Sequence, residues 1–181
     1  MHRKCKSGSS RGFTLIEVMV AMAILAAGIL SVAGIFAKGL QASYETQIQY
    51  IAEQKAQEAM ETIFTARDTK VITFSQIANV SAGGVFLDGA QPLCASGPDG
   101  LFGTQDDITT QPDTVITSPG ADKMFGTSDD VGMNLNPWMT RTIKIEPTST
   151  SNLDKITVTI NWTYAGQSST YQIVSYISDY S

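Results

Sequence analysis

Residues 13–37 form an apolar run of 25 residues that contains a single charged side chain, Glu17. As a helix this run would be roughly 37 Å long at 1.5 Å per residue, which is enough to cross a bilayer core. Four of the 12 basic residues precede the run, and all 17 acidic residues lie within it or after it. Because a basic flank stays in the cytoplasm, the pattern predicts a single membrane span with the rest of the chain outside the cytoplasm.

Helical spacing continues beyond Lys38, although the polarity rises. Apolar side chains recur near one stripe, at Leu40, Tyr44, Ile48, Ile51, Ala52, Ala59, Met60 and Ile63. Neither glycine nor proline occurs between Leu40 and Ala82. The spacing therefore predicts one helix over residues 13–67, with the membrane span at 13–37. We expect the stripe to pack on a carboxy-terminal sheet; a separate docking face is the alternative interpretation.

The carboxy-terminal residues 139–181 alternate between apolar and polar positions with a period of two. The three alternating runs are 139–146, 156–162 and 170–178, and residues 165–168 are suited to a hairpin turn between the last two. These runs predict an antiparallel meander of three strands packed on the helix, and therefore an α+β fold. Residues 85–87 are a candidate for a further short strand.

The intervening residues 68–138 are predicted to be irregular, and they contain an internal repeat. Residues 97–108 read GPDGLFGTQDDI and residues 120–131 read GADKMFGTSDDV, with seven of 12 positions identical. Each copy is rich in aspartate and glycine, residues that favour turns. We predict that Phe102 and Phe125 anchor the two loops to the core.

The aspartates of the repeats are candidate calcium ligands, because calcium binds carboxylate and carbonyl oxygens in flexible sites. The spacing differs from that of an EF-hand, but it resembles Asp-Gly-rich calcium-binding loops of secreted proteins, such as thrombospondin-type repeats. The predicted ligands are Asp99, Asp106 and Asp107 for one ion and Asp122, Asp129 and Asp130 for a second. Lys123 replaces Gly100 in the second copy, so the first site should bind more tightly. The alternative is a pair of solvated turns that bind no metal.

Several classes of function are disfavoured by composition. The only histidine is His2, which argues against a Ser-His-Asp triad and a histidine-ligated zinc site. No phosphate-binding glycine loop is present, and the low fraction of charged residues, 16%, argues against nucleic acid as a partner. We therefore predict a protein that is not an enzyme. Cys5 and Cys94 are the only cysteines, so that removal of the first residues would leave Cys94 as a free thiol.

The segment from Arg11 to Glu17, RGFTLIE, resembles the processing site of type IV prepilins and of type II secretion pseudopilins. The resemblance implies that a prepilin peptidase removes the leader 1–12 by cleavage after Gly12 and then methylates the new amine of Phe13. It also implies an assembly role for Glu17. A buried amine on Phe13 and a buried carboxylate on Glu17 of a neighbouring subunit would each be costly alone, and pairing removes most of that cost.

Residues 139–178 are similar to the carboxy-terminal part of PilV-type minor pilins, and also to minor pseudopilin I of type II secretion. Together the resemblances imply a minor pilin-like subunit that enters the inner membrane and then a pilus filament at the cell surface. The expected partners are the prepilin peptidase, other pilin and minor pilin subunits, and a tip adhesin. Two alternatives remain open, a minor pseudopilin and a membrane-anchored calcium-binding surface module that does not polymerise.

Overall fold

A computed structural model describes residues 12–164 and 166–179 of the chain. The predicted leader, apart from Gly12, and Ala165 of the predicted hairpin turn lie outside the described residues. The chain divides into two compact units, Met1–Thr46 and Gln47–Ser181. Helix α1 begins at Leu15 in the first unit and ends at Asp68 in the second. The prediction of one helix over 13–67 is therefore confirmed, with ends that differ by one or two residues.

In the first unit, the helix is exposed on every face. Thr14 caps its first turn, since the backbone N–H of Glu17 donates to Oγ1 of Thr14 at 3.4 Å. All the large apolar side chains between Phe13 and Phe36 are exposed. By length and composition this helix is able to cross a membrane. A helix that is apolar all round requires an apolar environment, such as lipid or neighbouring helices.

In the second unit, the remainder of α1 buries one face. The buried residues recur at helical spacing and are Ile48, Ile51, Ala52, Ala56, Ala59, Met60, Ile63 and Ala66. The predicted stripe is thus buried from Ile48 onwards, whereas Leu40 and Tyr44 are exposed. The helix ends because Lys70 takes a left-handed conformation, with φ of 59°, and the N–H of Val71 returns to the carbonyl of Ala66 at 2.8 Å.

Two short 3-10 helices, Phe74–Gln76 and Val80–Ala82, follow the long helix. Eight strands then follow in chain order, which are β1 (Gln91–Pro92), β2 (Cys94–Ala95), β3 (Ile108–Pro112), β4 (Thr114–Ser118), β5 (Val131–Asn134), β6 (Met139–Pro147), β7 (Leu153–Tyr164) and β8 (Gln167–Ser178). The main sheet is antiparallel in the order β1-β6-β7-β8. The predicted meander of three strands is confirmed, and β1 adds a fourth strand that the sequence pattern did not indicate.

The sheet buries alternate side chains against the helix remainder in a single hydrophobic core. Ile143 and Ile145 on β6 and Ile156, Val158, Ile160 and Trp162 on β7 are all buried, as the alternation predicts. The predicted short strand at 85–87 is not formed. Residues 79 and 86 make only an isolated bridge.

The side chain of Asn79 takes the place of a neighbouring strand along part of β6. Its Nδ2 donates to the carbonyl of Ile143 at 2.8 Å, and its Oδ1 accepts the N–H of Ile145 at 2.9 Å. Asn79 is itself buried. One amide group thus satisfies two backbone groups of β6 that would cost about 1–3 kcal/mol each if buried without a partner.

The predicted irregular region 68–138 contains two additional hairpins. Strands β2 and β3 pair with each other and enclose the first repeat, while β4 and β5 pair and enclose the second. Strands β3 and β4 are threonine-rich and largely exposed, so they lack the apolar alternation by which strands are recognised in a sequence. Each copy of the repeat is therefore the loop of its own hairpin.

Candidate functional site

The Gly12-Phe13 bond directly precedes the capped start of α1. Phe13 is exposed, and a Cβ built on Gly12 would have no atom of the described chain within 4 Å. The packing of this chain therefore does not require glycine at position 12. A requirement for a small residue there would come from the pocket of a peptidase that binds this segment.

Glu17 is the only acidic residue in the first turn of α1. A carboxylate is favoured at that position by the partial positive charge of the helix amino terminus. Within residues 12–164 and 166–179, no lysine or arginine pairs with Glu17. Its predicted partner, the amine of Phe13, would exist only after cleavage.

The first repeat is closed by hydrogen bonds from its own backbone and threonine. Asp99 accepts the N–H of Leu101 at 2.8 Å, and Asp107 accepts the N–H of Gly103 at 2.8 Å. The hydroxyl of Thr104 donates to Asp106 at 2.8 Å and is the main cause of the lowered pKa of that carboxyl. These bonds fold the loop into a compact turn.

The second repeat forms the same bonds at the equivalent positions. Asp122 accepts the N–H of Met124 at 2.8 Å, and Asp130 accepts the N–H of Gly126 at 2.7 Å. The hydroxyl of Thr127 donates to Asp129 at 2.8 Å and likewise lowers its pKa. The two copies of the repeat therefore form equivalent loops.

A glycine begins each copy of the repeat because the loop folds back against it. A Cβ on Gly97 would clash with Asp106, and a Cβ on Gly120 would clash with Asp129. Both aspartates occupy the tenth position of their copy. The glycines and aspartates that the copies share are therefore explained by the closure of the loop.

The two loops differ in what covers them. Leu101 and Phe102 are 0% and 8% exposed, whereas the equivalent Met124 and Phe125 are 64% and 69% exposed. The predicted anchoring role is confirmed for Phe102 and is wrong for Phe125. The first loop packs on the core, while the second leaves its apolar tip uncovered. The local sequence does not reveal this difference, because each copy carries a large aliphatic side chain followed by phenylalanine.

Arg141 lies beneath the first repeat and is only 1% exposed. Its Cζ lies 4.3 Å from the centre of the Phe102 ring, within the range of a cation–π contact. Its Nε and Nη1 have no hydrogen-bond partner among the described residues. Burial lowers the pKa of this guanidinium, and the charges of Asp107 and Asp113 oppose that effect. The first repeat thus has a cation of its own.

A second cation in this region, Lys55, forms an ion pair with Asp113. The Nζ of Lys55 on α1 lies 3.0 Å and 2.8 Å from the two carboxylate oxygens of Asp113, and it also lies 2.9 Å from Glu58. Burial lowers the pKa of Lys55, but these two carboxylates outweigh it, so that the net shift is upward. The ion pair joins the helix to the loop between β3 and β4.

The six predicted calcium ligands are separated in the structure into two loops of three. Within the described residues, no group of three or more histidine, cysteine or acidic side chains is placed to hold a metal ion. All six carboxylates belong to exposed or half-buried loop positions, and all six accept hydrogen bonds within their own loop. Calcium binding stays a prediction.

Calcium binding has a direct thermal test on the purified chain in detergent. Occupancy at one to ten times Kd would add roughly 0.6–1.4 kcal/mol to the free energy of unfolding, so we expect CaCl2 to raise the melting temperature relative to EDTA. The shift should disappear in a variant with both Asp106→Asn and Asp107→Asn. An unchanged melting temperature at millimolar calcium in both proteins would support the solvated turns instead.

Cys94 is buried and forms no disulfide within the part of the chain that the structure describes, in agreement with the predicted free thiol. Its Sγ lies 4.0 Å from Oδ2 of Asp107. Burial raises the pKa of this thiol, and the negative charge of Asp107 raises it further. Both effects disfavour the thiolate, which is the reactive form.

We therefore expect iodoacetamide at pH 7.5 to label Cys94 at least tenfold more slowly in the folded chain than in urea. The matched control is a Cys94→Ser, Ser118→Cys variant, whose thiol lies at an exposed position on β4. The control should react at similar rates under both conditions. Equal rates for Cys94 and the control in the folded state would contradict the burial argument.

Arg141 and Asn79 are the two important residues that sequence reasoning missed. Arg141 has a recognisable signal, since it shares its parity along β6 with Met139, Ile143 and Ile145, all of which face the core. Asn79 has no such signal, because it lies in a loop far from β6 in sequence and only the fold brings the two together.

Residues 8–33 match the family model of the prokaryotic N-terminal methylation motif. No curated protein and no solved structure matches the chain. The matched segment includes Gly12, Phe13 and Glu17 and much of the apolar run, but neither the repeats nor the sheet. The amino-terminal part of the chain therefore carries the prokaryotic N-terminal methylation motif, a type IV pilin-like prepilin signal.

Proposed function

We propose that the chain is a minor pilin-like subunit of a type IV pilus. It enters the inner membrane as a prepilin, is cleaved after Gly12 and methylated on Phe13, and is then incorporated into the filament. The observation that carries the proposal is the prepilin signal at the start of an apolar helix that is exposed on all faces. The role is one of assembly and surface interaction, not catalysis.

The exposed helix supports both stages of this proposal. In the membrane, lipid surrounds the apolar side chains between Phe13 and Phe36, and the basic leader holds the amino terminus in the cytoplasm. In the filament, the helices of neighbouring subunits replace the lipid. A single apolar surface therefore serves a subunit that must be stable first in a bilayer and later in a packed assembly.

The charges at the start of the helix give the assembly its register. Cleavage after Gly12 creates an amine on Phe13, four residues before Glu17. An isolated carboxylate deep in the bilayer costs roughly 2.5–3.5 kcal/mol, so a charge pair between neighbouring subunits stabilises one axial position over others. The neighbour's charge is expected to determine how far the subunit advances along the fibre.

The resemblance of residues 139–178 to PilV-type minor pilins supports placement in a pilus. Because the same residues are also similar to minor pseudopilin I, the test must distinguish a type IV pilus from a type II secretion filament. Both filaments use the same kind of processing signal, so processing alone does not distinguish them.

The test is mass spectrometry of the amino terminus of the protein in sheared surface pili. We expect the mature chain to begin with N-methylated Phe13. Gly12→Leu should block cleavage and leave the protein in the membrane, whereas the matched Gly12→Ala variant should be processed. Fibre-associated protein that begins at Met1 or Arg11 would contradict the proposal. Mature protein that copurifies with a secretion complex and is absent from pili would assign it to the pseudopilins.

A further inference from the structure

The tip of the second repeat is an apolar pair on a loop that is closed by its own hydrogen bonds. Met124 and Phe125 are exposed, although the bonds that hold their backbone are those that hold Leu101 and Phe102 in the first repeat. Large exposed apolar side chains that lie together on a soluble surface are a mark of interaction sites.

The first repeat shows within this chain what such a loop packs against. Leu101 lies in the apolar core, Phe102 stacks on the guanidinium of Arg141, and the side chain of Ile143 lies against Gly103. The surface under the loop is therefore an apolar pocket with an arginine at its base. Because the second copy has the same bonds and an equivalent apolar pair, a surface of the same chemistry would fit it.

The charge of the second repeat also favours a pocket that contains an arginine. Residues 120–131 carry three aspartates and one lysine, a net charge of −2. An acidic tip favours a basic partner and is repelled by an anionic membrane surface. On this ground a protein pocket is favoured over lipid.

A second copy of this chain is a poor match for the tip. One cleft of the second unit is lined by Glu58, Glu61 and Asp99, and another by Glu58 and Asp113, so both would repel the tip. A third, between Trp138 and Trp162, has no charged residue in its lining, so it lacks the arginine that the surface under the first repeat provides. A different subunit is therefore the better occupant.

We propose that the second repeat is a docking loop, which inserts Met124 and Phe125 into an apolar, arginine-containing pocket on a different subunit of the same filament. The inference rests on the proposed function, since it requires assembly with other subunits. The hairpin of β4 and β5 that carries the loop also exposes Ile116 and Val131. Val115 and Met133 of the same hairpin pack against the core, so the hairpin holds the exposed loop on the folded second unit.

The test uses the full chain in cells that assemble filaments, with the photoreactive residue p-benzoylphenylalanine at position 125. We expect crosslinks from position 125 to one site on one other filament subunit, with an arginine close to that site. The matched control is position 174, an exposed apolar residue on β8, which should give at least tenfold fewer crosslinks to that subunit. The same photoreactive residue at position 29, in the apolar helix, tests incorporation into the filament through its crosslinks to other subunits.

A pair of serine variants supplies the second measurement. Because Met124 and Phe125 are exposed, Met124→Ser with Phe125→Ser should leave the melting temperature unchanged and reduce copurification with that subunit at least tenfold. Phe102→Ala should lower the melting temperature, since its side chain is buried. Unchanged copurification of the serine variant would overturn the proposal.

The crosslinking outcomes separate the two proposals. Crosslinks from position 125 to a second copy of this chain, to lipid, to a protein outside the filament, or to no single site, together with normal crosslinks from position 29, would overturn the docking loop and leave the pilin-like function standing. Absence of crosslinks from position 29 to any other subunit would overturn the proposed function, and with it the docking loop.

Discussion

Replacement of Glu17 by alanine is expected to leave cleavage after Gly12 intact and to reduce incorporation into filaments at least tenfold. Alanine removes the desolvation cost of the carboxylate, so the variant should enter the membrane at least as readily as the natural chain. It also removes the partner of the Phe13 amine, which would then be buried without a counter-charge. A loss of 1.4 kcal/mol in the free energy of association lowers the association constant tenfold. Truncation of one member of a buried charge pair costs about 2–5 kcal/mol or more.

The measurement is the ratio of the protein in sheared filaments to the protein in the membrane, together with the mass of the mature amino terminus. Glu45→Ala is the matched control, since Glu45 lies in the same helix, beyond the apolar run, and is exposed. The control should be incorporated normally. Normal incorporation of the Glu17→Ala variant would contradict the charge pairing.

Replacement of Arg141 by methionine is expected to lower the free energy of unfolding by about 2–3 kcal/mol. Methionine preserves much of the apolar contact with Phe102 but leaves Asp107 without a nearby cation. Removal of one partner from a fully buried charge pair costs about 3–5 kcal/mol. The smaller figure here reflects the half-buried position of Asp107 and the absence, among the described residues, of a direct ion pair between Arg141 and Asp107. The matched control is Lys144→Met on the same strand, an exposed position where we expect a change below about 0.5 kcal/mol.

The loss of unfolding free energy in the Arg141→Met variant should depend on pH. Its direction follows from the groups that shift the pKa of Asp107. Burial raises the pKa of Asp107, and Arg141 opposes this shift, so the Arg141→Met variant should have a still higher pKa at Asp107. A carboxyl with a higher pKa in the folded than in the unfolded state makes folding less favourable once it ionises, and the penalty disappears as pH falls through the folded pKa. The loss should therefore be larger at pH 8 than at pH 5.

Chemical denaturation at the two pH values measures this difference. An additional Asp107→Asn change should remove most of it, because the titrating group is then absent. A loss of equal size at pH 5 and pH 8 would show that Arg141 acts through packing alone.

Local patterns in the sequence were sufficient for the helix, the meander and the processing segment. The apolar run and the period of 3.6 residues predict the helix over 13–67, and the period of two predicts the strands from residue 139 onwards, because each pattern reflects which side chains of one element face the same way. The signal around Gly12 and Glu17 is likewise contiguous in the chain, so it is readable without a fold.

Only the tertiary structure decided whether the apolar tip of each repeat is buried. Both copies have the same residues at the positions that close the loop, and the same closure follows in each. Whether the apolar tip is buried depends on which loop reaches the core, and that is a property of the whole chain. Phe102 therefore stacks on Arg141, while Phe125 is exposed.

Contacts between residues distant in sequence were also decided only by the fold. Asn79 bonds to β6 from a position 64 residues away, and Lys55 reaches Asp113 across 58 residues. In neither pair does the sequence around one residue contain a pattern that indicates its partner. The sequence by itself determined the elements and the processing signal because these depend on neighbouring residues, whereas burial and charge pairing depend on how the elements pack together.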